Sequence, residues 1–213
     1  MVELVALEIA DAPGVWGGLG FAVDGGVCRV GRVAHRLAGG PGKGIVSWTL
    51  DGTRTEPAAT LDGLTAGSGP GPAATATVTA SRHPNGVVAI DHLVVFTPDL
   101  ERTVSALTEA GCQERRRRRS ATYGREMVQA FFRLGEVVLE VVSGARPAGD
   151  GPARFFGLAF TVADLDATAR HLGDRLHPAK DAVQPGRQIA TLDRDAGSTV
   201  AMAFMSPGRP EPA

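Results

Sequence analysis

VVAIDHLVVFTPDLERTVSALTEAG, residues 87–111, is the stretch that decides the fold. It opens with an apolar run rich in β-branched residues, which is typical of a buried strand. After Pro98 the apolar residues recur at helical spacing, at Leu100, Val104 and Leu107. Proline near a helix start and glycine at its end, here Gly111, are the usual helix boundaries. The stretch therefore predicts a strand followed by a helix.

Three further strands are predicted directly after this helix. They are Gln113–Arg119, Glu126–Leu134 and Val137–Val142, with Gly135–Glu136 as a tight turn between the last two. The order strand, helix, strand, strand, strand is a βαβββ module.

The same order returns later in the chain. Phe156–Val162 is predicted as a strand, ADLDATARHLG (163–173) as a helix, and Gln188–Leu192 and Val200–Met205 as strands. Superposing DLERT on DLDAT aligns Asp99 with Asp164, and the closing strands then end at Ser143 and Ser206. Shared order, helix start and end point indicate an internal repeat.

A fainter copy precedes these two. It has a strand candidate at Leu4–Ala10, a short helix at Pro13–Leu19, and strands at Val27–Val30, Val33–Leu37 and Ile45–Leu50. The alternative is a β-rich extension, residues 1–52, that pairs with the main domain.

The domain prediction follows from these repeats and from composition. Residues 1–52 form a degenerate N-terminal module, and 53–86, rich in Gly, Ala, Thr and Pro, form a loose linker. Residues 87–207 form a domain of two modules, and 208–213 form a tail. The Gly67–Ala76 segment is expected to be the most mobile internal part.

A module that opens with IDHLVVFTPDLERT (90–103) and closes with GEVVLEVVSG (135–144) resembles the vicinal oxygen chelate superfamily of glyoxalases, bleomycin resistance proteins and extradiol dioxygenases. The resemblance implies an α+β fold in which βαβββ modules pair into a curled, partly open β-barrel around a small-molecule pocket. It also implies a His on an opening strand and a Glu on a closing strand that hold a divalent metal.

Carried over to this chain, the resemblance makes His92 and Glu140 the metal ligands, with Glu140 also catalytic. Fe, Mn, Ni and Zn all suit imidazole with carboxylate. Strand alternation places His92 on the inward face, opposite Leu93 and Val95.

The carried-over ligand set is incomplete. The matching positions are Gly157 and Ala203 in the last copy, and Ala6 and Trp48 in the first. Two ligands remain where metal-dependent relatives use three or four. Either another group completes the site, or the fold has kept its pocket and lost its metal.

Both candidate ligands also have a purely structural interpretation. His92 can be a strand histidine hydrogen-bonded to Asp91 or to a backbone carbonyl. Glu140 lies inside VVLEVV, where an inward carboxylate needs a partner, whereas an outward one carries no functional meaning.

HPAKDAVQPGRQIATL (177–192) is the next candidate segment, because related modules bring it to the mouth of the pocket. His177, Gln184 and Arg187 are predicted to contact substrate, and arginine offers a fork for carboxylate or phosphate. The alternative for Gln184-Pro185-Gly186 is a type II turn.

The five arginines of 115–119 favour a solvated edge strand over a nucleic-acid surface. Alternate residues of a strand point to opposite faces, and charged edge strands resist aggregation. The formal net charge of −1 gives no general attraction to nucleic acid or to a membrane. Two distant cysteines and no basic leader favour the cytoplasm.

Two functions remain open. One is a metal-assisted lyase, isomerase or dioxygenase acting on a small oxygen-rich molecule, which the retained pair favours slightly. The other is a metal-free binding or resistance protein for an antibiotic-like ligand, which Gly157 and Ala203 favour. A homodimer is predicted, because modules complete barrels in pairs and the first copy is unpaired.

Overall fold

The computed structural model describes residues 1–54, 60–66, 82–122 and 125–208. The predicted Gly67–Ala76 mobile segment lies outside these residues. The strands are β1 (Glu3–Ile9), β2 (Val23–Asp24), β3 (Val27–Val30), β4 (Val33–Leu37), β5 (Ile45–Asp51), β6 (Val87–Phe96), β7 (Glu114–Thr122), β8 (Arg125–Leu134), β9 (Val137–Gly144), β10 (Arg154–Val162), β11 (Lys180–Asp181), β12 (Gln188–Thr191) and β13 (Ala201–Met205). The helices are α1 (Pro13–Gly18), α2 (Leu100–Glu109) and α3 (Leu165–Leu172), which continues into a 3-10 turn (Gly173–Arg175).

Two βαβββ modules build an eight-stranded sheet in the order β11-β12-β13-β10-β6-β9-β8-β7. In each module the first strand is parallel to the last, as β6 is to β9 and β10 is to β13. The two first strands pair antiparallel at the centre, which relates the modules by a pseudo-twofold. The sheet is not a closed barrel, and the predicted α+β class with paired modules is confirmed. The two-residue strand β11 was not predicted.

The aligned aspartates begin the two helices in the same way. Asp99 accepts a hydrogen bond from the backbone N–H of Arg102 at 3.1 Å, and Asp164 accepts one from Ala167 at 2.9 Å. Each carboxylate satisfies an N–H group that the first helical turn leaves free. The repeat seen in the sequence is therefore also a repeat of local structure.

The two faces of the large sheet differ. Helices α2 and α3 contact strands at opposite ends of the sheet, and the buried residues Leu93, Val95, Leu158 and Phe160 lie on the face that packs into the core. The opposite face carries His92 and Glu140, and we call it the open face. Several of its strand residues, including His92, Val94 and Glu140, are half-buried.

The N-terminal strands form a separate five-stranded sheet in the order β2-β3-β4-β1-β5. Here β1 is parallel to β4, so β4 is the closing strand of this copy, while β5 is antiparallel to β1. Placing Trp48 on the closing strand was therefore wrong. Glu8 pairs with Arg36 as Val94 pairs with Glu140, which makes Arg36 the equivalent of Glu140.

This small sheet packs on the chain's own modules. Phe160 of β10 contacts the rings of Trp16 and Phe21, with centroid distances of 6.3 and 5.2 Å. Asp11 accepts hydrogen bonds from Ser198 and Thr199, just before β13. The strands of 1–51 do not join the ladder of the large sheet in the described residues. The division into domains stays a prediction.

Parts of the predicted linker are packed rather than loose. Leu61 and Leu64 are buried, and Asp62 accepts a 2.7 Å hydrogen bond from Arg102 of α2. Asn85, near its other end, is 1% exposed and donates to the carbonyl of Leu19. The Gly- and Ala-rich composition of 53–86 gave no indication that these few residues would be packed. No helix among the residues placed in the structure is long and apolar enough to span a membrane.

Candidate functional site

A β-bulge at Asp91 shapes the centre of the open face. Ala159 pairs with His92 and the next residue, Phe160, pairs with Ile90, so Asp91 is the extra residue of the bulge. Ile90 and Leu93 both face the core, three positions apart instead of the two or four of regular alternation. The bulge therefore brings the neighbouring side chains of Asp91 and His92 to the open face together.

His92 lies between two carboxylates. Its Nδ1 is 2.8 Å from Oδ1 of Asp91, and its Nε2 is 3.6 Å from Oε2 of Glu140. The hydrogen bond to Asp91 assigns a proton to Nδ1, so in a neutral ring Nε2 presents a lone pair. A neutral His92 would then face Glu140 acceptor to acceptor, and the gap between them suits a proton, a hydrogen-bond donor or a cation.

Asp91 is the fixed anion of the site. Burial alone would raise its pKa, but hydrogen bonds and charges from His92 and Arg187 outweigh that effect and lower the pKa to about 2. Arg187 places Nη2 2.7 Å from Oδ2, and Thr161 donates a hydrogen bond of 3.1 Å to the same oxygen. A carboxylate held in this way orients the imidazole of His92.

Gln129 of β8 orients the other carboxylate. Its Nε2 donates to Oε1 of Glu140 at 3.0 Å, and its Oε1 accepts from Arg118 and Ser120. These contacts fix which end of the amide faces Glu140. The other carboxylate oxygen of Glu140, Oε2, faces His92.

The residues present do not fit the metal centre that the resemblance implies. Ala159 pairs with Ala203 as Val94 pairs with Glu140, so Gly157 and Ala203 do occupy the remaining ligand positions. A Cβ atom at Gly157 would lie 2.2 Å from the carbonyl oxygen of Ala201, so the backbone leaves no room for a ligand side chain there. No group of three potential ligands is present in ranges 1–54, 60–66, 82–122 and 125–208.

Of the three predicted substrate contacts, Arg187 lies at the site, whereas Gln184 and His177 lie elsewhere. Arg187 reaches the open face, where it pairs with Asp91 and donates to the carbonyl of Ser206 at 2.9 Å. Gln184 is exposed in a turn closed by Gly186 at φ 77°, as the turn interpretation expects. His177 is 57% exposed, with Nε2 3.4 Å from Asp193. A substrate role for these three residues stays a prediction.

An apolar wall continues the open face along β6. The rings of Phe96 and Phe156 are 4.5 Å apart, and Phe156 is 49% exposed. A cavity of about 590 Å³ lies at the end of this strand, lined by Phe96, Thr97, Pro98, Ala148, Gly151, Pro152 and Arg154. A ligand centred on His92 would have apolar surface to extend along.

Sequence reasoning missed Gln129 and Arg118 as site residues. Both lie on the open face because β7 pairs with β8 so that Arg118 is opposite Gln129. This register is not visible in the sequence. The signal that was available is a lone glutamine inside the apolar strand MVQAFF, where a buried amide needs partners.

Comparison with known proteins gives a family and a fold. Residues 91–191 match the model of the Glyoxalase/Bleomycin resistance protein/Dioxygenase superfamily. No curated protein matches the chain.

Three solved structures illustrate the structural likeness. A mutant of 4-hydroxymandelate synthase from Streptomyces coelicolor is 13% identical with a TM-score of 0.65, and the match covers 99% of this chain and 94% of that one. Methylmalonyl-CoA epimerase from Mycobacterium tuberculosis is 16% identical with a TM-score of 0.48, covering 60% and 93%. The Streptomyces coelicolor epimerase in complex with 2-nitronate-propionyl-CoA is 19% identical with a TM-score of 0.46, covering 60% and 99%. At 13% identity, the likeness to the synthase shows the fold alone.

Proposed function

Because residues 91–191 belong to the Glyoxalase/Bleomycin resistance protein/Dioxygenase superfamily, we propose that the chain binds a small oxygen-rich molecule on the open face, with His92 and Glu140 as its polar centre. The observation that carries the proposal is the distance of 3.6 Å between Nε2 of His92 and Oε2 of Glu140. Asp91 orients His92 through its Nδ1, and Gln129 orients Glu140 through its Oε1. A hydroxyl group of the ligand would donate its hydrogen into this gap.

The same arrangement allows His92 to accept a proton from the ligand. His92 is positioned by an anion at Nδ1, so its Nε2 can accept a proton from the bound hydroxyl group. The Asp91 charge stabilises the imidazolium that forms. Binding with proton acceptance therefore needs only residues that this chain supplies.

A metal-assisted lyase, isomerase or dioxygenase is the second candidate. The short distance between Nε2 and Oε2 favours it, since both atoms could contact one Fe, Mn, Ni or Zn ion. Two side chains are a weak hold on a divalent ion, however, and the backbone at Gly157 leaves no room for a third. We therefore propose metal-free binding, of the kind found in antibiotic-binding or resistance proteins, as the main function.

The test is an NMR titration of the imidazole signals of His92 with catechol and with glycolate as probes. We expect a saturable shift of the Nε2 signal, because the probe hydroxyl enters the gap beside Glu140. With the side-chain amide signals of Gln129 as the reporter in the variants, His92→Gln and Glu140→Gln should each weaken binding about tenfold or more, as expected for loss of a hydrogen bond to a charged group.

The matched control is His171→Gln, which removes an exposed histidine of α3 on the helix-covered face and should leave probe binding unchanged. Saturable binding that survives both site variants would contradict the assigned polar centre. So would probe-induced shifts confined to the helix-covered face of the sheet.

A further inference from the structure

Arg118 has no counterion among the described residues, unlike Arg117 and Arg119 on either side of it. Arg117 pairs with Glu101 and Glu114, and Arg119 pairs with Glu126 at 3.2 Å. Arg118 is half-buried on the open face, and no acidic side chain of the described residues forms an ion pair with it. A partly desolvated guanidinium that lacks an anion is costly unless something else pairs with it.

The guanidinium is nonetheless held in place by neutral groups. Its Nε donates to Oε1 of Gln129 at 2.9 Å, and its carbon lies 5.7 Å from the ring centroid of Phe131. Both contacts come from β8, the neighbouring strand. They use one N–H edge and one face of the group, and they leave the Nη1 and Nη2 edge for a bidentate acceptor.

Gln129 also connects Arg118 to the polar centre. Its amide accepts from Arg118 at one end and donates to Glu140 at the other, at 3.0 Å. The amide stands between them, so Arg118 and Glu140 form no direct ion pair. The side-chain amide of Gln129 thus separates the guanidinium of Arg118 from Glu140, which lies next to His92.

We propose that Arg118 binds a carboxylate of the ligand, so that the small molecule bound at His92 and Glu140 is an oxygen-rich organic acid. This inference rests on the proposed function and names the ligand class for the same site. The carboxylate pairs with Nη1 and Nη2, and the hydroxyl group reaches the gap between Nε2 and Oε2. Arg116, exposed on the same face, adds positive charge that attracts the anion.

The first experiment tests the anion subsite alone. Sodium acetate and inorganic phosphate are titrated separately at low ionic strength, with the side-chain amide signals of Gln129 as the reporter. We expect saturable shifts with acetate, weakened about tenfold or more in Arg118→Gln and only partly restored in Arg118→Lys, which keeps the charge but not the fork.

Arg119→Gln is the matched control, since it removes the next arginine of the run on the other face. It should leave acetate binding unchanged. Absence of a saturable shift with acetate, or equal weakening by both variants, would overturn the proposal. Tighter binding of phosphate than of acetate would overturn the carboxylate assignment.

The second experiment joins the two parts of the site. We expect 3,4-dihydroxybenzoate to bind at least about tenfold more tightly than catechol, and Arg118→Gln to remove this difference. Catechol binding at His92 without any preference for the acid would refute the Arg118 subsite and leave the proposed function standing. Acetate binding at Arg118 with no effect of catechol on His92 would refute the proposed function instead.

Discussion

His35 provides a quantitative test of how the two sheets are packed. It is fully buried between the rings of Trp16 and Phe160, and its Nδ1 lies 3.1 Å from the carbonyl oxygen of Cys28. Its Nε2 has no hydrogen-bond partner in the part of the chain that the structure describes. Burial lowers its pKa from 6.5 to about 4, with the Cys28 carbonyl opposing and the His83 charge adding to the shift.

The sign of the effect follows from proton counting. Between pH 6.5 and pH 4 the unfolded chain binds a proton at this residue and the folded chain does not. The contribution of His35 to the free energy of unfolding is therefore fully present above pH 6.5 and is lost as the pH drops towards 4. At about 1.4 kcal/mol for each pKa unit, the loss from His35 is about 3 kcal/mol.

We expect His35→Gln to remove this part of the pH dependence, although it lowers stability at every pH. The assay is urea unfolding followed by tryptophan fluorescence at pH 7.5, 6.5, 5.5 and 4.5. From pH 7.5 to 4.5 the wild type should lose about 2–3 kcal/mol more than the variant. His177→Gln, at an exposed site, should follow the wild-type curve. Parallel curves for wild type and His35→Gln would refute the reasoning.

Three further predictions concern the contacts between elements. Asp11→Ala leaves the buried Nε1 of Trp16 unpaired, also removes the hydrogen bonds from Ser198 and Thr199, and should lower the free energy of unfolding by about 3 kcal/mol. The exposed Asp24→Ala should cost less than about 0.5 kcal/mol in urea unfolding. Arg187→Gln removes the cation beside Asp91 and should raise the pKa of that carboxyl by about 1 unit or more, measured by NMR titration from pH 1 to 6; an unchanged pKa would show that His92 alone holds it low. The intact chain should be a homodimer in light scattering, and a monomer would contradict the module-pairing argument.

The homodimer prediction has lost part of its basis. It assumed that the first copy lacks a partner, but the small sheet packs on the chain's own helix-covered face through Trp16 and Phe21. A second chain is therefore not needed to cover this sheet. The exposed aromatic pair of Phe96 and Phe156 is the open-face feature that a partner could still cover.

The repeat and its helix starts could be predicted because they depend on local sequence. Asp99 and Asp164 cap their helices through backbone groups only three residues away, so superposing DLERT on DLDAT was enough. Alternation along β6 likewise set His92 on the face opposite Leu93 and Val95.

What could not be predicted depends on pairing between distant strands. The bulge at Asp91 exists only relative to β10, and simple alternation would have put Asp91 on the core face. Trp48 was placed on a closing strand because Ile45–Leu50 has the same apolar pattern as one, and only the antiparallel register with β1 shows otherwise. Arg118 became a site residue through its register with Gln129.

The most direct test of the account is the metal content of the purified protein. The chain is purified without chelator, dialysed separately against Zn, Mn, Ni and Fe(II), passed through a desalting column and measured by elemental analysis. Metal-free binding at His92 and Glu140 predicts less than about 0.1 metal ion per chain, with no difference between wild type, His92→Gln and Glu140→Gln. One tightly held ion per chain in the wild type, lost in both variants, would contradict it.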